Sequence, residues 1–248
     1  MGRSGRADDG GARVGHLAGG VVVLAAGLFP VLESVVAAGW APPGYDWSAN
    51  YLSDLGVPQC VVTDRVICSP RHAVMNAGFV TLGLLVGAGA ALLRSLVRTR
   101  WRGPVLVAAG VLALGVVGLG VFPGSVVEAL DGDVVRMALH TTASVAAVVG
   151  GLVTILLVIV ASWGRRAGYV GASAALLAVG CAGVAVDVLG LDVGLGPGAV
   201  QRLTVYPIVA WLVLTGVLVL VASWRGSLGI VAASDGVAMP APGAGPGS

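Results

Sequence analysis

Six long apolar runs dominate this chain, at roughly Val14–Ala38, Ala73–Val97, Pro104–Val121, Met137–Trp163, Tyr169–Leu189 and Leu203–Trp224. A helix needs about 20 such residues to cross the hydrocarbon of a bilayer. Lipid offers backbone amides no partner, so each crossing segment must satisfy its own hydrogen bonds. Only 10% of the 248 residues are charged, and the mean hydropathy is +0.96. A soluble domain would carry roughly a quarter charged residues. The expected fold class is therefore all-α, a polytopic membrane bundle of about six transmembrane helices. Its expected layout is a disordered cytoplasmic N-terminus over 1–12, a six-helix transmembrane domain over 13–226 and a disordered cytoplasmic tail over 227–248.

Arginine placement sets the expected orientation. Lysine is absent, and the 14 basic residues are all arginine. With the N-terminus inside, ten of them (Arg3, Arg6, Arg13, Arg94, Arg98, Arg100, Arg102, Arg165, Arg166 and Arg225) fall on the cytoplasmic side. Four (Arg65, Arg71, Arg136 and Arg202) fall outside. Cytoplasmic links carry the arginine excess, so both termini are expected in the cytoplasm and the chain in the cytoplasmic membrane as a multi-pass protein. The first run is too long for the core of a cleaved leader and contains Glu33. A net charge of +2 is too small for a nucleic-acid binder.

Forty glycines against three phenylalanines suit helices that associate by close backbone approach. Genome composition would give the same bias, so no function is drawn from it. Gly83-Leu-Leu-Val-Gly87 fits either a homo-oligomer contact or packing within the chain.

The polar material gathers on the outer side. The long link Trp40–Arg71 holds Cys60 and Cys68 with seven residues between them, which reads as a disulfide closing a small loop. Ser48–Gly56 reads as a short interfacial helix, with Trp47, Tyr51 and Leu55 at four-residue spacing on a headgroup-facing side. Ser53 and Asp54 then point elsewhere. Glu33 lies in the outer third of the first span, and His72 precedes the second with Asn76 one turn on. His140 sits one turn inside the fourth span beside Thr141 and Ser144, Asp187 near the outer end of the fifth, and Arg202 and Tyr206 open the sixth. All map to one depth.

Ionisable residues within a membrane normally face the bundle interior and find partners. One outcome is a structural network in which Arg202 neutralises Glu33 or Asp187. The other is a pocket in which His72, His140 and Asp54 or Glu33 act as a general acid–base set, beside Ser53 or Ser69, or hold zinc. No histidine pair has HxxxH or HExxH spacing, so no metal set is assigned and the cofactor is unknown. Pro30, Pro123 and Pro207 would kink helices at the same level and splay them into a cup.

Taken together, Tyr51-Leu-Ser-Asp-Leu-Gly56, Cys60 to Cys68, Ser69-Pro70-Arg71-His72 and Met75-Asn76 resemble the signature of actinobacterial members of the domain of unknown function 998 family. Gly120-Val-Phe-Pro123, His140, and Arg202 with Tyr206 and Trp211 continue the resemblance in order, over nearly the whole chain. The pattern departs at Gln201, where the resemblance implies an acid before the arginine. The family is similar in helix count to eukaryotic membrane proteins linked to lipid remodelling, which is fold-level analogy.

The functional expectation is an outward polar cup that binds or handles a lipid or isoprenoid amphiphile, with Arg202, His72 and His140 at the headgroup. Ser53, Asn76, Asp187 and Tyr206 are further candidate ligand contacts, and membrane lipid is the expected partner. The alternatives are a membrane-embedded hydrolase or transferase using His140 and His72 with Asp54 or Glu33, and a small transporter. A transport pathway should place polar groups at the midplane, yet Gly83–Ala91, Leu112–Gly118 and Ala146–Leu157 are nearly all apolar.

Overall fold

The computed structural model describes residues 4–62, 65–125 and 134–225, with side chains from residue 11 onward. Among the described residues seven α-helices form: α1 (Ser4–Leu24), α2 (Phe29–Ala37), α3 (His72–Leu93), α4 (Thr99–Val121), α5 (Val135–Ser162), α6 (Ala167–Val188) and α7 (Pro197–Trp224). Helices α1 and α2 run on through a 3-10 turn, Ala25–Leu28, so among the described residues six helical segments are long and apolar enough to cross a membrane. The chain is a multi-pass membrane protein. The tightened turn precedes Pro30, which has no N–H to give the carbonyl four residues earlier.

Two spans begin earlier than hydropathy suggests. Helix α7 starts at Pro197 within a Gly-Pro-Gly stretch that reads as a link, because proline at a first helical turn needs no donor and already has helical φ. Arg202 therefore sits more than a turn inside the helix rather than at its mouth. Helix α4 gains the arginine-rich turn ahead of Pro104. At the N-terminus, α1 begins at Ser4, within the stretch assigned to a tail, and the tail 227–248 lies outside the described residues.

Each span packs on its neighbours in sequence, and α7 returns to α1, closing a ring of six. The tightest seam joins α4 to α5. There a Cβ on Gly115 would come within 2.8 Å of the Ala143 carbonyl oxygen, and Gly150 lies against the Leu112 backbone. The sparsest is α5 against α6. Gly83 lies under α4, where a Cβ would meet the Ala113 carbonyl at 2.6 Å, so this glycine is used within the chain. Residues such as Leu84, Val107 and Leu114 face outward from the ring, as lipid contact requires.

The link between α2 and α3 folds over one end of the ring, here the loop end. Its Leu52, Leu55, Val57 and Ile67 join Met75, Phe79 and Phe29 in one core. Cys60 and Cys68 are disulfide-bonded and bracket a two-stranded antiparallel hairpin, β1 (Val61–Val62) with β2 (Val66–Ile67), a small departure from the all-α expectation. The interfacial helix is also cut back, to a 3-10 turn over Leu52–Gly56. Leu55 is fully buried while Trp47 is 42% exposed, so the expected shared headgroup face does not exist. Burying Leu55 and Leu52 in the bundle core outweighs keeping an amphipathic turn on the surface.

Candidate functional site

Polar side chains at the loop end form two adjacent assemblies instead of one cup. The first centres on Glu33, fully buried on α2, and Arg202 on α7. Arg202 Nη2 and Nε donate to Glu33 Oε1 at 2.6 and 3.0 Å. Tyr206, one turn on, donates to Glu33 Oε2 at 2.6 Å. Arg202 Nη2 also donates to the Tyr45 hydroxyl, and Nη1 to the carbonyls of Trp47, Asn50 and Gly198. The Trp47 ring lies 4.9 Å under the guanidinium. Every donor of Arg202 is thus engaged, and the group has none left for a ligand.

Tyr45 belongs to the loop. Its hydroxyl accepts from Arg202 and donates to the Tyr51 carbonyl at 2.9 Å. Burial pushes this phenol well above its usual pKa, against the opposing pull of the Arg202 guanidinium. Helix α7 meets the loop closely here: the Gly198 amide donates to the Ser48 carbonyl at 2.8 Å, and a Cβ on Gly198 would lie 2.9 Å from that oxygen.

The second assembly centres on Asp54, 4% exposed in the middle of the 3-10 turn. Arg65 grips its carboxylate from within the disulfide-closed hairpin, Nε to Oδ2 at 2.7 Å and Nη2 to Oδ1 at 3.2 Å. This two-pronged contact is the strong geometry for a guanidinium on a carboxylate. The Tyr51 amide donates to Oδ2 at 2.9 Å, closing a capping box, and Arg65 stacks 4.6 Å over the Tyr51 ring. Asn50 bridges the assemblies, its amide nitrogen 3.4 Å from Asp54 Oδ2 and its carbonyl bonded to Arg202.

Beside Asp54 and Arg65 opens a cavity of about 410 Å³. Ser53 completes the loop wall, and α5 contributes His140, Thr141 and Ser144. Asp187 on α6 and Gln201 on α7 face it from the other side. It therefore lies at the seam where α5 and α6 pack least. The Gln201 side-chain carbonyl accepts from the Leu52 amide at 2.6 Å, so this residue docks the loop while Arg202 pairs with Glu33 from another span. The chain thereby supplies the arginine's acid without one at position 201.

Phe122-Pro123 orients the ring of His140. Proline cannot continue α4, so the Phe122 carbonyl is left outside the helical ladder. His140 Nδ1 lies 2.8 Å from that oxygen. A carbonyl only accepts, so Nδ1 carries the proton and Nε2 of the neutral ring is the acceptor. His140 is 8% exposed and lines the cavity.

Of the residues singled out in the sequence, Ser53, Asp54, His140 and Asp187 share the cavity, while Glu33, Arg202 and Tyr206 share the buried network. His72 and Asn76 belong to neither: His72 Nδ1 lies 3.0 Å from the Ser69 carbonyl, and Asn76 donates to the Gly56 carbonyl at 2.9 Å. The Ser69 hydroxyl is bonded to the Leu55 carbonyl at 2.7 Å. Arg65 and Tyr45 were not singled out as site residues, and Gln201 only as a departure from the family pattern. The one hint of Arg65 in the sequence is an opposite charge inside the Cys60–Cys68 loop, 11 residues on from Asp54. Among the described residues, no group of three His, Cys, Asp or Glu side chains is arranged to hold a metal ion.

A family model described as protein of unknown function (DUF998) matches residues 12–218, and the chain belongs to that family. Neither a curated protein nor a solved structure matches the chain.

Proposed function

We propose that this member of the DUF998 family binds a membrane amphiphile, a lipid or isoprenoid, at the loop-end cavity. The observation that carries the reading is a polar cavity of about 410 Å³ at the sparsest seam of the ring, between α5 and α6. A headgroup held there leaves its tail a lateral way into the bilayer. Asp54 is balanced by Arg65, so Asp187 gives the lining one formal negative charge in excess. Acceptors at His140 Nε2 and Asp187 suit a headgroup with hydroxyl or amine donors. The arginine-rich end lies in the cytoplasm on this reading, and the cavity opens on the outer side of the cytoplasmic membrane. Arg202 and His72, spent on other partners, drop out of the headgroup site.

Native mass spectrometry of the purified protein tests it. One amphiphile per chain is expected on the wild type, reduced in Asp187→Asn and absent in Ser144→Trp, which fills the seam. A wild type that carries no amphiphile in mild detergent sinks the reading. His140 favours a second reading, a hydrolase or transferase with Nε2 as general base near Asp54. His140→Gln retains an acceptor but no base, so retained binding with lost turnover would select the enzyme.

A further inference from the structure

At the opposite end, a second cavity of about 160 Å³ lies on the axis of the ring. All six spans line it, through Val23, Val86, Leu112, Val158, Tyr169 and Leu218 in chain order. Around it stand Arg94, Arg98, Arg102, Arg165 and Arg166. Among the described residues, no aspartate or glutamate lines the cavity. The acids with described side chains (Glu33, Asp46, Asp54, Asp187 and Asp192) belong to the loop end and its links. Arg102 Nε donates to the Val97 carbonyl at 3.3 Å, and Arg165 also has a partner within the chain.

Orientation in the membrane requires arginines in these links but does not require them around an apolar hollow. Like charges gathered at a low-dielectric mouth repel one another, and an anion relieves this. A guanidinium meets a phosphate or carboxylate through paired hydrogen bonds. The apolar wall sets the other half of the ligand. A dry apolar cavity of roughly 150 Å³ accepts a molecule as large as benzene, so this one takes part of a single alkyl chain.

We propose that this cavity binds an anionic amphiphile, with part of one alkyl chain inside the ring and its phosphate or carboxylate on the arginines. The site is separate from the loop-end cavity and stands or falls independently of it. Basic pockets between transmembrane helices on the cytoplasmic side suit anionic headgroups in general.

The full-length chain, purified in a neutral maltoside detergent, is titrated with dodecyl phosphate, laurate and dodecyltrimethylammonium. Native mass spectrometry counts bound molecules, and fluorescence reports on Trp211 in the cavity wall. One dodecyl phosphate or one laurate is expected per chain, and the better binder of the two names the headgroup class. The triple variant Arg98→Ala/Arg102→Ala/Arg166→Ala should weaken binding at least tenfold. Ala109→Trp should abolish it by filling the hollow, with Ala109→Leu as the smaller fill if that variant does not fold. Equal uptake of the cationic amphiphile, or unchanged affinity in the arginine and Ala109 variants, overturns the proposal. Binding that appears only after removal of 226–248, or only in Asp8→Asn/Asp9→Asn, also overturns it, since the chain's own acids would then occupy the site.

Discussion

Replacing Arg202 by methionine tests the buried network most directly. The substitution keeps a long apolar stem and removes every guanidinium donor. Glu33, fully buried on α2, loses both of its bonds to Arg202 and retains the one from Tyr206. The Asn50 carbonyl keeps a donor in the Tyr45 hydroxyl at 3.2 Å, whereas the carboxylate is left with a buried charge and no cation. Breaking a buried pair by removing one partner costs about 3–5 kcal/mol, because an uncompensated charge stays behind. At about 2–4 °C per kcal/mol for a chain of this size, the loss in Tm is on the order of 10 °C. Glu33→Gln strands the cation instead and should cost a similar amount. The double variant leaves no charge, so its cost should fall well short of the sum, with a coupling of about 1–3 kcal/mol. Thermal unfolding in a fixed detergent, read by tryptophan fluorescence, measures all four proteins. An Arg202→Met variant within about 1 kcal/mol of the wild type, or additive single effects, would refute the reasoning.

Two further outcomes follow from the geometry. Gly115→Ala puts a Cβ 2.8 Å from the Ala143 carbonyl oxygen and should destabilise by about 1–3 kcal/mol. Gly110→Ala on the same helix has no atom within 4 Å of its new Cβ and should be neutral or stabilising by up to about 1 kcal/mol; unfolding of both variants reads the contrast, and equal effects contradict the packing at the α4–α5 seam. The raised pKa of Tyr45 means that the folded state keeps the phenolic proton where the unfolded state releases it. Stability from this group is therefore complete below about pH 10, the unfolded value, and declines above it. Tyr45→Phe should be less stable at neutral pH and flatten this alkaline decline, which parallel unfolding at pH 8 and pH 10.5 measures.

The sequence alone determined the number of spans, the common depth of the polar groups and the family, because hydropathy and short motifs are properties of consecutive residues. The Cys60–Cys68 pairing was legible for the same reason: two cysteines share one link, and the third lies inside a span. Helix starts at Pro197 and Thr99 were not, since proline and arginine lower hydropathy without breaking a helix at its first turn. Only tertiary structure decided which groups meet. Arg202 chooses Glu33, 169 residues away, over Asp187. Asp54 takes Arg65, and His140 takes the Phe122 carbonyl. The ring order, the sparse seam and both cavities were equally hidden. The physical reason lies in the helices themselves. Spans such as α4 are apolar around their whole circumference, with no polar stripe to state which side faces inward. Rotation about each helix axis is settled instead by close approach, as at Gly115 and Gly150, and by buried charge pairs between spans distant in sequence.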